Sequence, residues 1–226
     1  MSWIKSRILS SIPGVVHGFG QRNSGGTERI AGSFGLRKVA RLKQVHGSRI
    51  IVVDNEEVFE PPAPEGDGLI NTSKGLGIAA AAADCVPILF ADEGGTVTAA
   101  VHAGWRGTLA GISAEALRLI DERYGVTPGR MRAVIGPSIK LCCYEVGEDV
   151  ASQFLAKFGP EGDYLHEKGG GKYMLDLTRM NEIILERAGA GAIETLTYCT
   201  KCEGSFYSYR REGKGVPSQL SFIGLL

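Results

Sequence analysis

Only four histidines occur in the chain, at positions 17, 46, 102 and 166, and two of them stand where regular structure meets a glycine. His46 lies in QVHG, just ahead of a β-branched run, and His102 lies in VHAGWRG at the end of another. Between them, Cys85 occupies AADC inside an apolar segment. A buried free cysteine is usually a small hydrophobe and nothing more, and a lone histidine is more often a hydrogen-bonded structural residue. Together, His46, Cys85 and His102 offer imidazole, thiolate and imidazole, which leaves Zn²⁺ a fourth tetrahedral position for water or substrate. A zinc ion with one open position lowers the pKa of bound water to about 7 and so suits hydrolytic deamination. Two other chemistries use the same residues. Two His and one Cys is also a blue-copper ligand set, and Cu²⁺ outcompetes Zn²⁺ at most N/S sites, so a copper-dependent oxidase is an alternative. Without a metal, Cys85 as nucleophile and His102 as base would make a Cys–His hydrolase.

Neighbouring residues add to this set. A strand, then Ala103-Gly104-Trp105-Arg106-Gly107, then a helix would aim backbone N–H groups and a positive helix end at an anion beside the metal. Arg106 could supply a planar fork to phosphate; the plainer alternative is a connecting turn with Trp105 packed and Arg106 solvated. Asp84 adjoins Cys85 and could orient a ligating imidazole or accept a proton, or simply cap a turn. Cys199 and Cys202 form a CxxC, and with Cys142 and Cys143 they invite a structural zinc reading. Adjacent cysteines rarely share one zinc comfortably and no second CxxC exists, so these four are expected to be structural thiols. Five cysteines without an export signal point to a reducing compartment.

The elements that must position these side chains are legible in outline. Arg49 to Asp54 reads as a strand, as do Thr96 to His102 and Met131 to Ile135. Leu76 to Phe90 could hold one or two buried strands, with Pro87 awkward for a central one. Apolar residues at helical spacing predict a helix over Thr108 to Tyr124 capped by Gly125, another after Gly147 through Phe158, and a third from Leu177 to Gly189. Ile193 to Thr197, Ser205 to Tyr209 and Gln219 to Ile223 read as short strands. Gly20 to Thr27, Glu60 to Gly68 and Glu161 to Lys172 read as loops. Strands and helices mix without strict alternation, which favours α+β with a mixed sheet.

Bulk properties narrow the function. The chain of 226 residues, with 43% hydrophobic and 22% charged residues, is expected to form one globular domain spanning residues 1–226. Lys plus Arg and Asp plus Glu each total 25, so no positive field draws it to nucleic acid or an anionic membrane. Its longest apolar run, Leu76 to Ala91, is interrupted by Asp84 and falls short of the ~20 residues that span a bilayer. The N-terminus lacks the apolar core of a signal peptide, so a cytoplasmic protein is expected.

The chain resembles the YfiH-like laccase-domain family, variously described as polyphenol oxidases and purine nucleoside phosphorylases. The resemblance runs through HGF at 17–19, Arg22 with Gly25 and Gly26, QVHG at 44–47, ADC at 83–85, HAGWRG at 102–107, GPSIKLCCYEVG at 136–147, LDL at 175–177, and CT with FYSYRR between 199 and 211. It implies a single domain with layered α/β/β/α packing and one zinc on His46, Cys85 and His102, with copper as an alternative or adventitious ion. It also implies phosphorolysis of adenosine, inosine, guanosine and methylthioadenosine together with adenosine deamination, by a monomer or weak homodimer. In such a site Arg22 and Arg106 are candidates for phosphate, and Glu145, Arg210 and Asp84 for the pocket. Two departures stand out. The segment from Thr27 to Lys43 is shorter than is usual there, and Glu212 with the tail GKGVPSQLSFIGL replaces the usual ending, so substrate preference could differ.

Overall fold

In the computed structural model, residues 3–53 and 62–226 are described; the expected strand end at Asp54 and loop start at Glu60 lie outside them. The chain runs through α1 (Arg7–Ser10), β1 (Val15–Phe19), α2 (Thr27–Phe34), β2 (Lys38–Ala40), β3 (Ile50–Val53), β4 (Gly68–Asn71), β5 (Leu76–Ala82), β6 (Val86–Asp92) and β7 (Thr98–Ala103). It continues through α3 (Trp105–Ala110), α4 (Ile112–Tyr124), β8 (Met131–Ile135), β9 (Glu145–Gly147), α5 (Glu148–Phe158), β10 (Leu165–Gly169), β11 (Lys172–Leu175), α6 (Leu177–Arg187), β12 (Ala192–Thr195), α7 (Tyr209–Glu212) and β13 (Gln219–Leu225).

A six-stranded sheet in the order β12-β8-β6-β7-β4-β3 packs against a four-stranded sheet in the order β1-β13-β5-β2. Both are mixed: β12–β8, β3–β4 and β2–β5 pair parallel, and the other pairs antiparallel. Between the sheets lie Phe19, Ile78, Leu89 and Ile223, each fully buried. Helices α4 and α6 cover the far face of the larger sheet. Helix α4 turns Ile112, Ala116, Leu117 and Ile120 inward, the spacing a one-sided helix requires. Helix α2 lies against the smaller sheet, where Trp3 packs edge to face on Phe34 and on Phe222, which themselves meet tilted. The layers therefore run α/β/β/α, and the α+β reading with mixed sheets holds.

Several boundaries differ from expectation. The expected single helix over Thr108 to Tyr124 starts earlier and is two helices, because Gly111 takes φ 85° between them. Pro87 does sit in a central strand: it precedes the first β6–β8 pair, Ile88 with Ile135, so its missing N–H interrupts no ladder there, while its carbonyl accepts from Gly136 N at 2.8 Å. The expected loop over Glu161 to Lys172 contains the hairpin β10–β11, whose turn places Gly169, Gly170 and Gly171 at positive φ. Ser205 to Tyr209 is no strand but a turn into α7: its Ser205 carbonyl accepts from Arg22 N, and its Phe206 carbonyl from the Arg211 guanidinium, which also binds the Thr200 and Lys201 carbonyls of the preceding turn. Among the described residues no helix is long and apolar enough to cross a membrane.

Candidate metal centre and its cavity

One end of the six-stranded sheet collects the expected ligands from distant parts of the chain. Cys85 immediately precedes β6, and the antiparallel register sets Val86 opposite Ala103 and Pro87 opposite His102. The start of β6 is thereby placed beside the end of β7. Strand β4 pairs with β7 through Gly68 and Val101, which sets Asp67 beside His102, whose backbone N donates to Asp67 O at 2.7 Å. His46 arrives on the loop before β3. The ligating atoms of His46, Cys85 and His102 all lie within 4.8 Å of one another, and the two imidazoles meet edge-on with centroids 4.9 Å apart.

Asp67, which sequence reasoning missed, organises this convergence. Its side chain is 0% exposed and its Oδ1 lies 2.9 Å from His102 Nδ1. The same carboxylate accepts from the backbone N–H groups of His46 at 3.0 Å, Gly47 at 2.7 Å and Val45 at 3.3 Å. These bonds hold His46 at φ 60°, a left-handed conformation that non-glycine residues seldom adopt. Burial pushes the Asp67 carboxyl up, but His102 and the N–H donors outweigh it and leave it below the usual carboxylate range. With Nδ1 committed to Asp67, His102 has Nε2 left for a ligand. Burial would likewise raise the Cys85 thiol, yet hydrogen bonds and charge from His102 and His46 bring it down to about 6. Burial disfavours the charged form of His102, while Asp67 and Cys85 outweigh that and raise it to about 9. The sulfur is thus poised as the thiolate that metal ligation needs.

Two imidazoles and a thiolate fit a borderline-soft divalent ion such as zinc. Gly104 shows how tightly the backbone closes on them. A Cβ there would stand 3.2 Å from His46 Cδ2, 3.3 Å from Cys85 Sγ and 3.8 Å from His102 Cε1. Gly104→Ala is accordingly expected to push the ligands apart by a few tenths of an ångström and weaken zinc binding by ~10-fold. Competition titration against a chromogenic chelator checks this, and an unchanged affinity would show that the ligands are free to yield.

The three candidate ligands open onto a cavity of about 670 Å³ whose wall also includes Asp84, Trp105, Tyr144 and Arg210, a size suited to a small-molecule ligand. Asp84 does not touch the imidazoles through any hydrogen bond. Instead it ties down the opposite wall: Thr200 Oγ1 and Arg210 N each donate to its carboxylate at 2.6 Å. It adopts φ 101° in doing so, unusual strain for a non-glycine residue. Arg210 stacks over Tyr144 with its guanidinium 5.1 Å from the ring centroid and donates to Glu145 O. Burial, then the charges of Cys85 and Asp84, push the Tyr144 phenol up to about 12, so it keeps its proton.

The other expected pocket residues do not line the cavity. Arg22 donates from Nε to Gly204 O at 2.9 Å and Phe206 O at 3.1 Å and pairs with Glu212, which anchors the turn before α7. Arg106 is exposed on the first turn of α3 and stacks on Trp105, 4.2 Å from the ring centroid. The Glu145 carboxylate pairs with Lys168 on the hairpin at 2.6 Å. Conversely, Arg41 and Tyr144 line the cavity without having been singled out. Tyr144 follows the cysteine pair in CCYEVG and was readable there; Arg41 stands in no motif.

Set beside known proteins, residues 23–226 match the model of a family described as multi-copper polyphenol oxidoreductase laccase. A protein of Deinococcus radiodurans named purine nucleoside phosphorylase is 37% identical over 87% of this chain and 75% of its own length. A protein from an unknown prokaryotic organism named adenosine deaminase RL5 is 35% identical over 81% of this chain and 72% of its own. The crystal structure of Bacillus licheniformis YfiH, titled a hypothetical protein, superposes with a TM-score of 0.82 at 30% identity, covering 94% of this chain and 93% of that one. The chain belongs to the YfiH-like laccase-domain family. As a member of that family it nevertheless brings only two of its four histidines to a cluster of ligands among the described residues. His17 Nε2 accepts from Ser6 N at 2.9 Å in a buried site of its own, and His166 pairs with Asp163 on the hairpin side. A multi-copper centre, which uses many imidazoles, has no such supply in this YfiH-like chain.

Proposed function

We propose that the chain is a zinc-dependent purine nucleoside phosphorylase, acting on adenosine, inosine, guanosine and S-methylthioadenosine, with adenosine deaminase activity. The observation that carries the reading is the presence, in one cavity, of a three-donor metal set, aromatic walls and two guanidinium groups. The names of the relatives support it. His46, Cys85 and His102 would hold the zinc, which when bound supplies Lewis acidity at one open position. Trp105 and Tyr144 give flat apolar surface for a purine. Arg41 and Arg210 are the cavity's cations for phosphate, with Arg106 at hand beside Trp105. In phosphorolysis a phosphate oxygen attacks the anomeric carbon, the C–N bond breaks and the purine leaves with the electron pair. Tyr144, which lines the same cavity and retains its hydroxyl proton, would act as the donor to that departing base.

The test is to assay as-purified protein for phosphate-dependent hypoxanthine release from inosine, and ammonia release from adenosine, against measured zinc content. Both activities are expected to rise with zinc occupancy; turnover of neither nucleoside at full occupancy refutes the reading. One observation favours a second reading: Asp67, His102 and Cys85 form a hydrogen-bonded series that could also activate a nucleophilic thiolate. Against it, a second imidazole, His46, engages the same sulfur. Stoichiometric alkylation of Cys85 at a rate that added zinc does not slow would favour the hydrolase. Phenol oxidation with copper rigorously excluded would favour the oxidase.

A further inference from the structure

The four cysteines outside the cavity converge as closely as the ligands within it. Cys142 Sγ lies 3.7 Å from Cys143 Sγ, 3.7 Å from Cys199 Sγ and 3.8 Å from Cys202 Sγ, and Cys143 Sγ lies 3.4 Å from Cys202 Sγ. All four sulfurs fall within 4.8 Å of one another. A tetrahedron of sulfurs around zinc, with Zn–S of about 2.3 Å, has an edge of about 3.8 Å. Adjacent cysteines rarely share an ion comfortably, but Cys142 and Cys143 lie in a tight turn, where Cys143 N and Tyr144 N both donate to Lys140 O. This conformation turns both side chains toward the same point.

We propose that Cys142, Cys143, Cys199 and Cys202 form a second, structural zinc site with complete tetrathiolate coordination. No pair of these sulfurs is bonded as a disulfide, and a set of four thiolates without an open position is the donor pattern of closed structural zinc sites. The thiol protons leave to solvent as the ion binds. Two features of the surroundings suit the resulting negative charge. The Cys199 sulfur accepts from the backbone N–H groups of Lys140 and Cys202, and the Lys140 ammonium, itself bonded to Ser138 and Thr178 hydroxyls, lies close enough to feel Cys199 and Cys142. The topology supplies the reason for such a site. β8 and β12 run parallel and end together, and each continues into one cysteine-bearing loop, joined otherwise by bonds such as Thr200 N to Ser138 O at 3.1 Å. An ion there staples the loop that delivers Tyr144 to the loop whose Thr200 holds Asp84. It would thereby fix one wall of the cavity without touching its contents.

This inference stands independently of the reaction proposed above. Untagged protein is purified with zinc under a non-thiol reductant, and zinc, iron and copper are measured per chain. About two zinc ions per chain are expected, falling to about one in Cys202→Ser, in Cys142→Ser and in Cys85→Ala. Where a serine variant fails to fold, the wild-type protein decides by alkylation mapped with mass spectrometry. Cys142, Cys143, Cys199 and Cys202 are expected to resist alkylation until a chelator is added, and then to react together. Overturning results are a single zinc that is lost in Cys85→Ala, iron in place of the second zinc, disulfides among the four, or alkylation that is prompt before chelator is added.

Discussion

Cys85→Ala is expected, on the function proposed above, to remove the cavity zinc and to depress phosphorolysis and deamination together, by more than the ~100-fold that loss of an outer-sphere partner can cost. In the proposed zinc set Cys85 would be the sole anionic donor beside two imidazoles, and its thiolate is the form that both imidazoles already favour. Deleting it leaves only the two imidazoles of His46 and His102 as donors, where a zinc site of this kind uses three protein ligands. The fold should survive, because Cys85 lies ahead of β6 and takes no part in the Val86-to-Ala91 ladder with β7. Zinc content, circular dichroism and both assays measured on one preparation separate the cases. Loss of zinc with phosphate-dependent base release intact would mean that the metal and the phosphorolytic site are separate, and the shared-cavity reading would fail.

How much of this was legible beforehand follows from what local sequence can encode. The helices α5 and α6 were readable because each buries one face, so apolar residues recur at helical spacing. The convergence of His46, Cys85 and His102 was readable because imidazoles and thiols are scarce and chemically specific. What failed depends on pairing between distant strands. Asp67 belongs to the site only because β4 lies beside β7, a neighbourhood that no residue near position 67 announces, while Asp84 drew attention merely by adjoining Cys85. The convergence of the cysteine quartet was hidden for the same reason. Spacing along the chain argued against adjacent ligands, and only the common ending of β8 and β12 brings the second pair to them. Arg22 was expected at phosphate because it stands in a motif, yet the motif serves the backbone carbonyls of Gly204 and Phe206.

The two buried aspartates therefore make opposing predictions. Asp67→Asn is expected to weaken zinc binding by ~10–100-fold and to lower the stability of the metal-free protein by ~3–5 kcal/mol, as loss of one partner of a buried charge pair does. The carboxylate acts on a dication in the loaded protein and on a single imidazolium in the metal-free one, so the loaded state loses more and affinity must fall. An asparagine also replaces one of two accepting oxygens by an NH₂ group, either the Oδ2 that takes Val45 N and Gly47 N or the Oδ1 that takes His46 N and faces His102 Nδ1, which loosens the hold on His46 at its strained φ of 60°. Asp84→Asn, by contrast, is expected to leave zinc affinity within about threefold, a change far below the outer-sphere range, and to raise KM. Its carboxylate grips Thr200 and Arg210 in the wall, with no bond to a ligand. Chelator competition together with KM and kcat for both variants distinguishes the roles: zinc loss in Asp84→Asn with retention in Asp67→Asn would exchange the two aspartates and with them the account of how His102 is held.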